Sequence, residues 1–380
     1  MTKTPAYTRG TGTSNVPLRV TVNDLREHCA SILRGAGLPD HAALLVSDSL
    51  VDAEARGISS HGVTRVRIYA ERLLKGMVDP EATPAIVAQS PGRVQVDARN
   101  AIGHVGAEAG VNAAIEGALT DFVSVAGVYN SNHCGTLAYF ARKASERGLI
   151  AIALSTAPPT MVYFGGRTRA VGTNPICICV PRPDGPPIVV DMATSATARG
   201  KIILANRLGM DIPEGWAVDE DGRPTTDAAA ALLGSVLPFA GPKGSGLAMM
   251  VDLLAGALVA GVSGPDIGDM YEDYTRTQRV SHLFIVLDPE GWVGRDAFME
   301  HVRTFVQRVA DLPPAEGVER VLLPGEPEHA RYEAAQRDGV RLAEAVVGDL
   351  DAIAAELGLD RRLATRREDL HHPVEPSSRI

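Results

Sequence analysis

Apolar residues recur at helical spacing through the first fifth of the chain. Leu25, Cys29, Ile32 and Leu33 share one face behind Thr21 and Asp24, a pair spaced like a capping box, and the run ends near Gly35 to Gly37. A second helix is predicted from Asp40 through Leu44, Leu45, Leu50 and Val51 to Gly57. A third is predicted from about Gly62 through Val63, Val66, Ala70, Leu73 and Leu74 to Gly76. The period then shortens. Val94 and Val96 flank Gln95 as in a strand, a helix follows over about residues 107–119, and residues 122–128 form a mostly apolar strand. A polar loop from Asn130 to Gly135, a helix with Leu137, Phe140, Ala141 and Ala144, and an apolar run over 149–154 complete a β-loop-α-β unit. Residues 176–180 and 188–190 read as a hairpin, with Cys177 and Cys179 on one face, and a further strand is expected over 282–287. Helices are expected over about 295–309 and 328–357.

Composition makes this an ordinary soluble globule: 45% of the residues are apolar and 22% charged, and 380 residues suggest two or three domains. Aromatics are only 4%, so Ala, Val, Leu and Ile must fill the core. A net charge of −9, with no basic stripe, disfavours nucleic acid. Four cysteines without a C-x-x-C pair suit a reducing compartment, and MTKTPAYTRGTGTSNVP has no apolar core of a signal peptide, so a cytoplasmic protein is expected. Residues 246–262 approach membrane length, but Asp252 in mid-segment would cost about 3 kcal/mol on insertion. This stretch reads as a buried or interface-forming helix, and no membrane partner is expected.

The common motifs are missing. There is no G-x-G-x-x-G, no P-loop, no H-E-x-x-H and no G-x-S-x-G. Polar residues at element ends remain. In Ser59-Ser60-His61-Gly62-Val63-Thr64-Arg65, His61 is expected in the first turn of the third helix, where the helix dipole lowers an imidazole pKa, with Arg65 on the same face to bind a carboxylate. A helix-start histidine beside a surface arginine fits the same spacing. His133 and Cys134 lie in a loop beyond a strand, where α/β sheets bind ligands, although such a loop can also simply satisfy its own backbone. Asp191 ends an apolar strand and suits either ribose hydroxyls or a cap on the next helix. Lys243 opens a glycine-rich helix start that suits a phosphate.

SHGVTR with YAERLLKG, NSNHCG, GGRTRAVGTNP, VVDMATSATARGKI, GWAVDEDGRPTTD, LPFAGPKGSGLAMMVDLLAGAL and PGE, in this order, resemble the malate/L-lactate dehydrogenase family, which includes L-sulfolactate, ureidoglycolate, diketogulonate and Δ1-piperideine-2-carboxylate oxidoreductases. The resemblance covers about residues 20 to 358. It implies a non-Rossmann α/β fold of the L-sulfolactate dehydrogenase type, with a mixed sheet, flanking helices and a helical N-terminal region. Five segments are expected: an arm over 1–19, a helical domain over 20–90 packing with the C-terminal helices, a dinucleotide-binding domain over 91–290, a helical region over 291–360 and a polar tail over 361–380.

The implied activity is NAD- or NADP-dependent hydride transfer at C2 of a small 2-hydroxy or 2-oxo acid, without a metal, in a cytoplasmic homodimer. A cyclic imino acid is the alternative substrate. By the same resemblance, His61 and His133 are the acid/base candidates, Arg65 binds the substrate carboxylate and Ser60 supports His61. Thr173, Asn174, Asp191, Met192, Ala193, Lys243, Gly325 and Glu326 serve the cofactor. A cation near the adenosine 2′ position would select NADP, with Arg199, Lys201 and Arg207 as candidates. Four positions depart from the family pattern: Thr156-Ala157 for Asn-Ser, Tyr163 for proline and Cys134 for an aromatic residue. From other classes, a thiol hydrolase built on Cys134 and a dinucleotide-binding protein without turnover remain open.

Overall fold

The computed structural model describes residues 18–360 and 362–367. A short strand, β1 (Leu18–Val20), leads into α1 (Val22–Gly35), where Thr21 accepts the N–H of Asp24 at 3.1 Å. Helices α2 (Asp40–Ala55) and α3 (Val66–Leu74) follow, with two single 3-10 turns, Ser59–His61 and Val63–Arg65, between them. Strands β2 (Ala85–Ser90) and β3 (Arg93–Asp97), helix α4 (Gly103–Asp121), strand β4 (Val123–Ser131), helix α5 (Leu137–Ser145) and strands β5 (Ile150–Ser155), β6 (Ile176–Val180) and β7 (Ile188–Met192) come next. Helix α6 (Arg199–Leu208), strands β8 (Ala217–Val218) and β9 (Pro224–Thr225), helix α7 (Ala228–Leu233), strand β10 (Ser235–Val236) and helix α8 (Pro242–Ala255) precede strand β11 (Val280–Leu287). The chain closes with α9 (Arg295–Ala310), α10 (Glu326–Asp338), β12 (Val340–Leu342), α11 (Glu344–Glu356) and β13 (Arg366–Arg367).

Seven strands form one mixed sheet in the order β2-β3-β4-β11-β5-β6-β7, in which only β3 and β4 run parallel, across the α4 crossover. Helices α4 and α5 cover one face, burying Val94, Val96, Ala126, Val128, Phe140 and Phe284. Val251, Ala255 and Val259, from α8 and the turn after it, cover part of the other face over Leu154 and Leu283. A second core joins α1, α2 and α3 to α10, α11 and the small sheet β12-β1-β13. In this core the three N-terminal helices pack against α10 and α11. A third, smaller core of Ile202, Ile212, Ala217, Ala228, Ala231 and Val236 holds α6, α7 and β8 to β10, a unit that apolar periodicity leaves unmarked.

Several boundaries move. β2 falls within the bounds expected for the helical domain, yet it pairs with β3, so the sheet starts before residue 91. Leu18 and Arg19 belong to a strand rather than to the arm, and Arg366–Arg367 pairs with them rather than forming part of a tail. The rest of the arm, residues 1–17, and residues 368–380 of the tail lie outside the described residues. The helix expected over 328–357 is two helices, because Gly339 at φ 86° turns the chain into β12. The strand before the active-site loop continues through Ser131, two residues into the expected loop.

Candidate active site

The third helix begins at Val66, four residues later than its spacing suggests, and the cause lies in α2. Glu54 is buried there and accepts the Ser59 hydroxyl at 2.6 Å and the Val63 N–H at 3.0 Å. A Cβ on Gly62 would overlap Glu54 Oε2, so only glycine fits this crossing. The carboxyl thereby pins the two 3-10 turns that carry the chemistry. Ser60 Oγ lies 3.0 Å from His61 Nδ1, and Arg65 Nε donates to the Ser60 carbonyl at 2.7 Å. Ser60, His61 and Arg65 thus form one braced unit, by a fold-back rather than by sharing a helix face.

His133 meets this unit from the loop after β4. Its ring stacks on His61 with centroids 5.6 Å apart and planes 22° from parallel. Tyr69, one turn beyond Arg65, places its hydroxyl 2.6 Å from His133 Nδ1, and the Gly135 N–H donates to the same nitrogen at 3.3 Å. A backbone N–H can only donate, so Nδ1 is the acceptor and the neutral ring carries its proton on Nε2. The His133 N–H donates to Gln278 Oε1 at 3.1 Å, fixing the backbone as well.

Burial, with the Arg65 charge second, pushes His61 down to about 4, so the helix dipole is not needed to keep it neutral. Burial, then His61 and Arg65, holds His133 well below the usual imidazole range. Arg65 has no carboxylate partner among the described residues, and Tyr271 stands 5.5 Å from its guanidinium. Behind this pair, His282 is held by Ser155 Oγ at 2.9 Å and Ser131 Oγ at 3.1 Å. The buried His104 meets Tyr69 edge-on at 5.6 Å. Burial, with its negative neighbour Asp191 second, raises the Cys134 thiol to about 12. His282 Nδ1 lies 3.9 Å from the Cys134 sulfur, but burial lowers that imidazole to about 4 while the thiol stays near 12, a pairing that does not yield the thiolate a thiol hydrolase needs.

Thr173, Met192, Ala193 and Lys243 gather at the far end of β7. Thr194 N–H donates to the Thr173 carbonyl at 2.9 Å, Phe239 N–H donates to the Thr194 carbonyl at 3.1 Å, and Gly244 N–H donates to the Phe239 carbonyl at 3.0 Å. The exposed Met192 and Ala193 therefore end against the first turn of α8, where Lys243 is also exposed. Asp191 does cap a helix, but that helix is α5: its Oδ2 accepts the Ala138 N–H at 2.8 Å, and burial raises its carboxyl to about 6. Asn174 is fully engaged, accepting from Ala157 N–H at 3.0 Å and donating to the Ala248 carbonyl and Asp252. Gly325, at φ 91°, lies against Val189 of β7, and the Glu326 carboxylate is taken up by Arg182, Arg320 and the Leu323 N–H.

A family model described as malate/L-lactate dehydrogenase matches residues 20–351. Ureidoglycolate dehydrogenase (NAD(+)) of Escherichia coli O157:H7 is 34% identical over 327 residues, covering 86% of this chain and 93% of that protein. The (2R)-3-sulfolactate dehydrogenase (NADP(+)) of Chromohalobacter salexigens is 34% identical over 88% of this chain and 98% of its own length. A Δ1-pyrroline-2-carboxylate/Δ1-piperideine-2-carboxylate reductase of Pseudomonas aeruginosa is also 34% identical, over 88% and 99%. The solved structure of sulfolactate dehydrogenase from Methanocaldococcus jannaschii superposes with a TM-score of 0.83 at 33% identity, covering 90% of this chain and 98% of that one. The chain belongs to the malate/L-lactate dehydrogenase family. It is an NAD(P)-dependent oxidoreductase with the mixed α/β fold of that family.

A dehydrogenase of this family needs a place for a dinucleotide, and the end of β7 fits one. The first turn of α8 offers a positive dipole end and the exposed Lys243, and the exposed Met192 and Ala193 lie beside it. The polar atoms of Asn174 and Glu326 already brace loops. Of the cations named for a 2′-phosphate, Arg199 lies near Glu272 and Asp269, and Lys201 stands 5.9 Å from the Trp216 ring. The Arg207 side chain lies outside the described residues. Sequence reasoning missed Glu54, Tyr69, His104, Gln278 and His282. Only Tyr69 carried a visible signal, since it sits four residues past Arg65 at helical spacing.

Proposed function

We propose that the protein transfers hydride between a nicotinamide dinucleotide and C2 of a small 2-hydroxy or 2-oxo carboxylic acid, with Arg65 binding the carboxylate and a histidine handling the proton. The observation that carries this reading is a guanidinium with no acidic partner among the described residues, beside two stacked imidazoles that are neutral at pH 7. Such a site lacks one anion, and a substrate carboxylate supplies it. Arg65 keeps its two terminal nitrogens for a bidentate grip because its Nε is already bound to Ser60. When bound, the dinucleotide provides or accepts the hydride.

The histidines are poised by the substrate itself. In the free site the Arg65 charge helps to hold both rings neutral, the form that accepts a proton during oxidation. A carboxylate on Arg65 cancels that charge, raises both pKa values and favours the protonated form needed for reduction. His133 presents its Nε2 proton as a hydrogen-bond donor because Tyr69 and Gly135 occupy Nδ1. His61, with only a rotatable serine hydroxyl on Nδ1, is free to change tautomer. Asp191, Met192, Ala193, Thr173, Lys243 and Gly325 border the dinucleotide. A cyclic imino acid keeps the carboxylate and the reacting C2, and is the second substrate class to test.

The protein acts as a homodimer in a reducing, cytoplasmic compartment. Met249, Met250, Leu253, Leu254 and Leu258 form an exposed apolar stripe at helical spacing on α8 and the turn after it, and Ile178, Val190 and Met192 are exposed on the adjoining sheet. All four cysteines are free and buried. Absorbance loss from NADH or NADPH with a panel of 2-oxo acids and cyclic imino acids tests the reading. Arg65→Met should raise the apparent KM and lower kcat, and Arg65→Lys should not restore either, because a point charge lacks the fork. Equal kinetics in Arg65→Met would remove the proposed carboxylate site. Leu254→Glu should yield a monomer by light scattering.

A further inference from the structure

The loop over residues 268–278 has no regular structure, yet it touches both halves of the active site. At its neck the Gly268 N–H donates to the Gln278 carbonyl at 2.9 Å, and a Cβ on Gly268 would fall 2.5 Å from the Thr277 carbonyl oxygen, so only glycine closes it. Gln278 then accepts the His133 N–H, while Tyr271 at the tip stands over the Arg65 guanidinium, 5.5 Å from ring centroid to Cζ. Helix α3, which follows Arg65, holds the tip in place. The fully buried Arg72 donates from Nη1 to the carbonyls of Asp269, Met270 and Asp273 at 3.2, 3.1 and 3.0 Å. The Tyr274 hydroxyl donates to Glu71 at 3.1 Å, and Asp269 Oδ1 accepts the N–H groups of Tyr271 and Glu272 at 2.7 Å each.

None of this anchoring uses the Tyr271 ring. Tyr271 is 43% exposed, and its hydroxyl makes no hydrogen bond among the described residues. What the ring meets is Arg65. Burial has already taken water from that guanidinium, and its Nε is held by the Ser60 carbonyl. An aromatic ring within about 6 Å of a guanidinium is attracted to its face and keeps water from it. A carboxylate must then approach in the guanidinium plane, where the two terminal nitrogens form parallel hydrogen bonds. With less competing water the ion pair is also stronger.

We infer that Tyr271 is a positioning residue for the substrate carboxylate: covering one face of Arg65, it keeps the guanidinium dry and steers the acid to the in-plane, two-point grip. This rests on the proposed hydride-transfer function and adds a residue from outside the sequence motifs, brought to Arg65 by the loop that also carries Gln278. Tyr271 is exposed, so replacing it leaves the core untouched.

Steady-state kinetics of the full-length protein, with NADH or NADPH and a 2-oxo acid or cyclic imino acid that it reduces, test the inference. Tyr271→Ala should raise KM about tenfold while kcat stays within about twofold, and KM should climb more steeply with ionic strength than in the parent, because Arg65 is then wet. Tyr271→Phe, which keeps the ring, should restore the parent KM. In an Arg65→Met background, Tyr271→Ala should change kcat/KM by less than about twofold, because the ring acts through the guanidinium. An unchanged KM in Tyr271→Ala, a Tyr271→Phe variant as weak as Tyr271→Ala, or a further loss of about tenfold on top of Arg65→Met would overturn the positioning role while leaving hydride transfer intact. Absence of turnover of every such acid by the unaltered protein would overturn both.

Discussion

Glu54 makes no proposed contact with substrate, yet its replacement should disable the site. Its carboxyl supplies the acceptors for the Ser59 hydroxyl at 2.6 Å and the Val63 N–H at 3.0 Å. Glu54→Leu strands the buried Val63 N–H, at roughly 1 to 3 kcal/mol, while the hydroxyl of the exposed Ser59 can turn to water. Relief of the buried carboxyl, whose pKa burial raises, offsets part of this, leaving a net loss of about 1 kcal/mol. Glu54→Gln keeps an oxygen for Val63 and turns its amide toward Ser59, whose hydroxyl can rotate to accept, so it should stay close to the parent. The turns carry His61 and Arg65, and a shift of about 1 Å at a reacting group costs about a hundredfold in rate. Urea titrations at constant slope, together with kcat/KM, should therefore rank the parent close to Glu54→Gln and above Glu54→Leu, by the wider margin in kcat/KM. If Glu54→Leu matched the parent in both midpoint and kcat/KM, the bracing role would be wrong.

Tyr69→Phe removes the 2.6 Å contact to His133 Nδ1 and frees the tautomer. It should lower kcat about tenfold with little change in KM, and a change confined to KM would contradict the tautomer argument. Burial pushes His104 down to about 3 and His282 to about 4, so the unfolded chain takes up protons that the folded one refuses as pH falls below 6.5. Stability is complete above that value, and by about pH 5.5 each of the two should cost about 1 kcal/mol, read as a falling thermal midpoint. A midpoint flat between about pH 7.5 and 5.5 would refute it. Asp191 has the opposite sign: a carboxyl raised to about 6 is a burden when ionised, above that pH. Asp191→Asn, which keeps an acceptor for Ala138, should be more stable than the parent at about pH 8 by roughly 1 to 3 kcal/mol and should bind dinucleotide at least about tenfold more weakly.

Local periodicity made most of the helices and strands legible, because a buried face repeats every 3.6 or 2 residues whatever packs against it. It failed where a tertiary contact overrides the local pattern. The start of α3 is set by Glu54, eight residues before Gly62, and no local signal marks that partnership. The break at Gly339 was readable as a glycine in a helical run, but the strand after it exists only because β1 is there to pair with. The unit around α6 and α7 has short elements and a small core, too brief to show a period. For the site, the motif residues His61, Arg65 and His133 do come together. Gln278 and His282 entered only through space, because they lie more than a hundred residues from the loop they support, whereas Tyr69 was within reach of helical spacing from Arg65.

The most direct test of the central claim follows the hydride itself. Reduced dinucleotide deuterated at the transferring position, incubated with the protein and the best 2-oxo acid or cyclic imino acid of the panel, should yield a product with one deuterium at C2 by mass spectrometry. His61→Ala and His133→Ala should each slow that incorporation by at least about a hundredfold. Product without deuterium at C2, or normal incorporation in both histidine variants, would contradict the account.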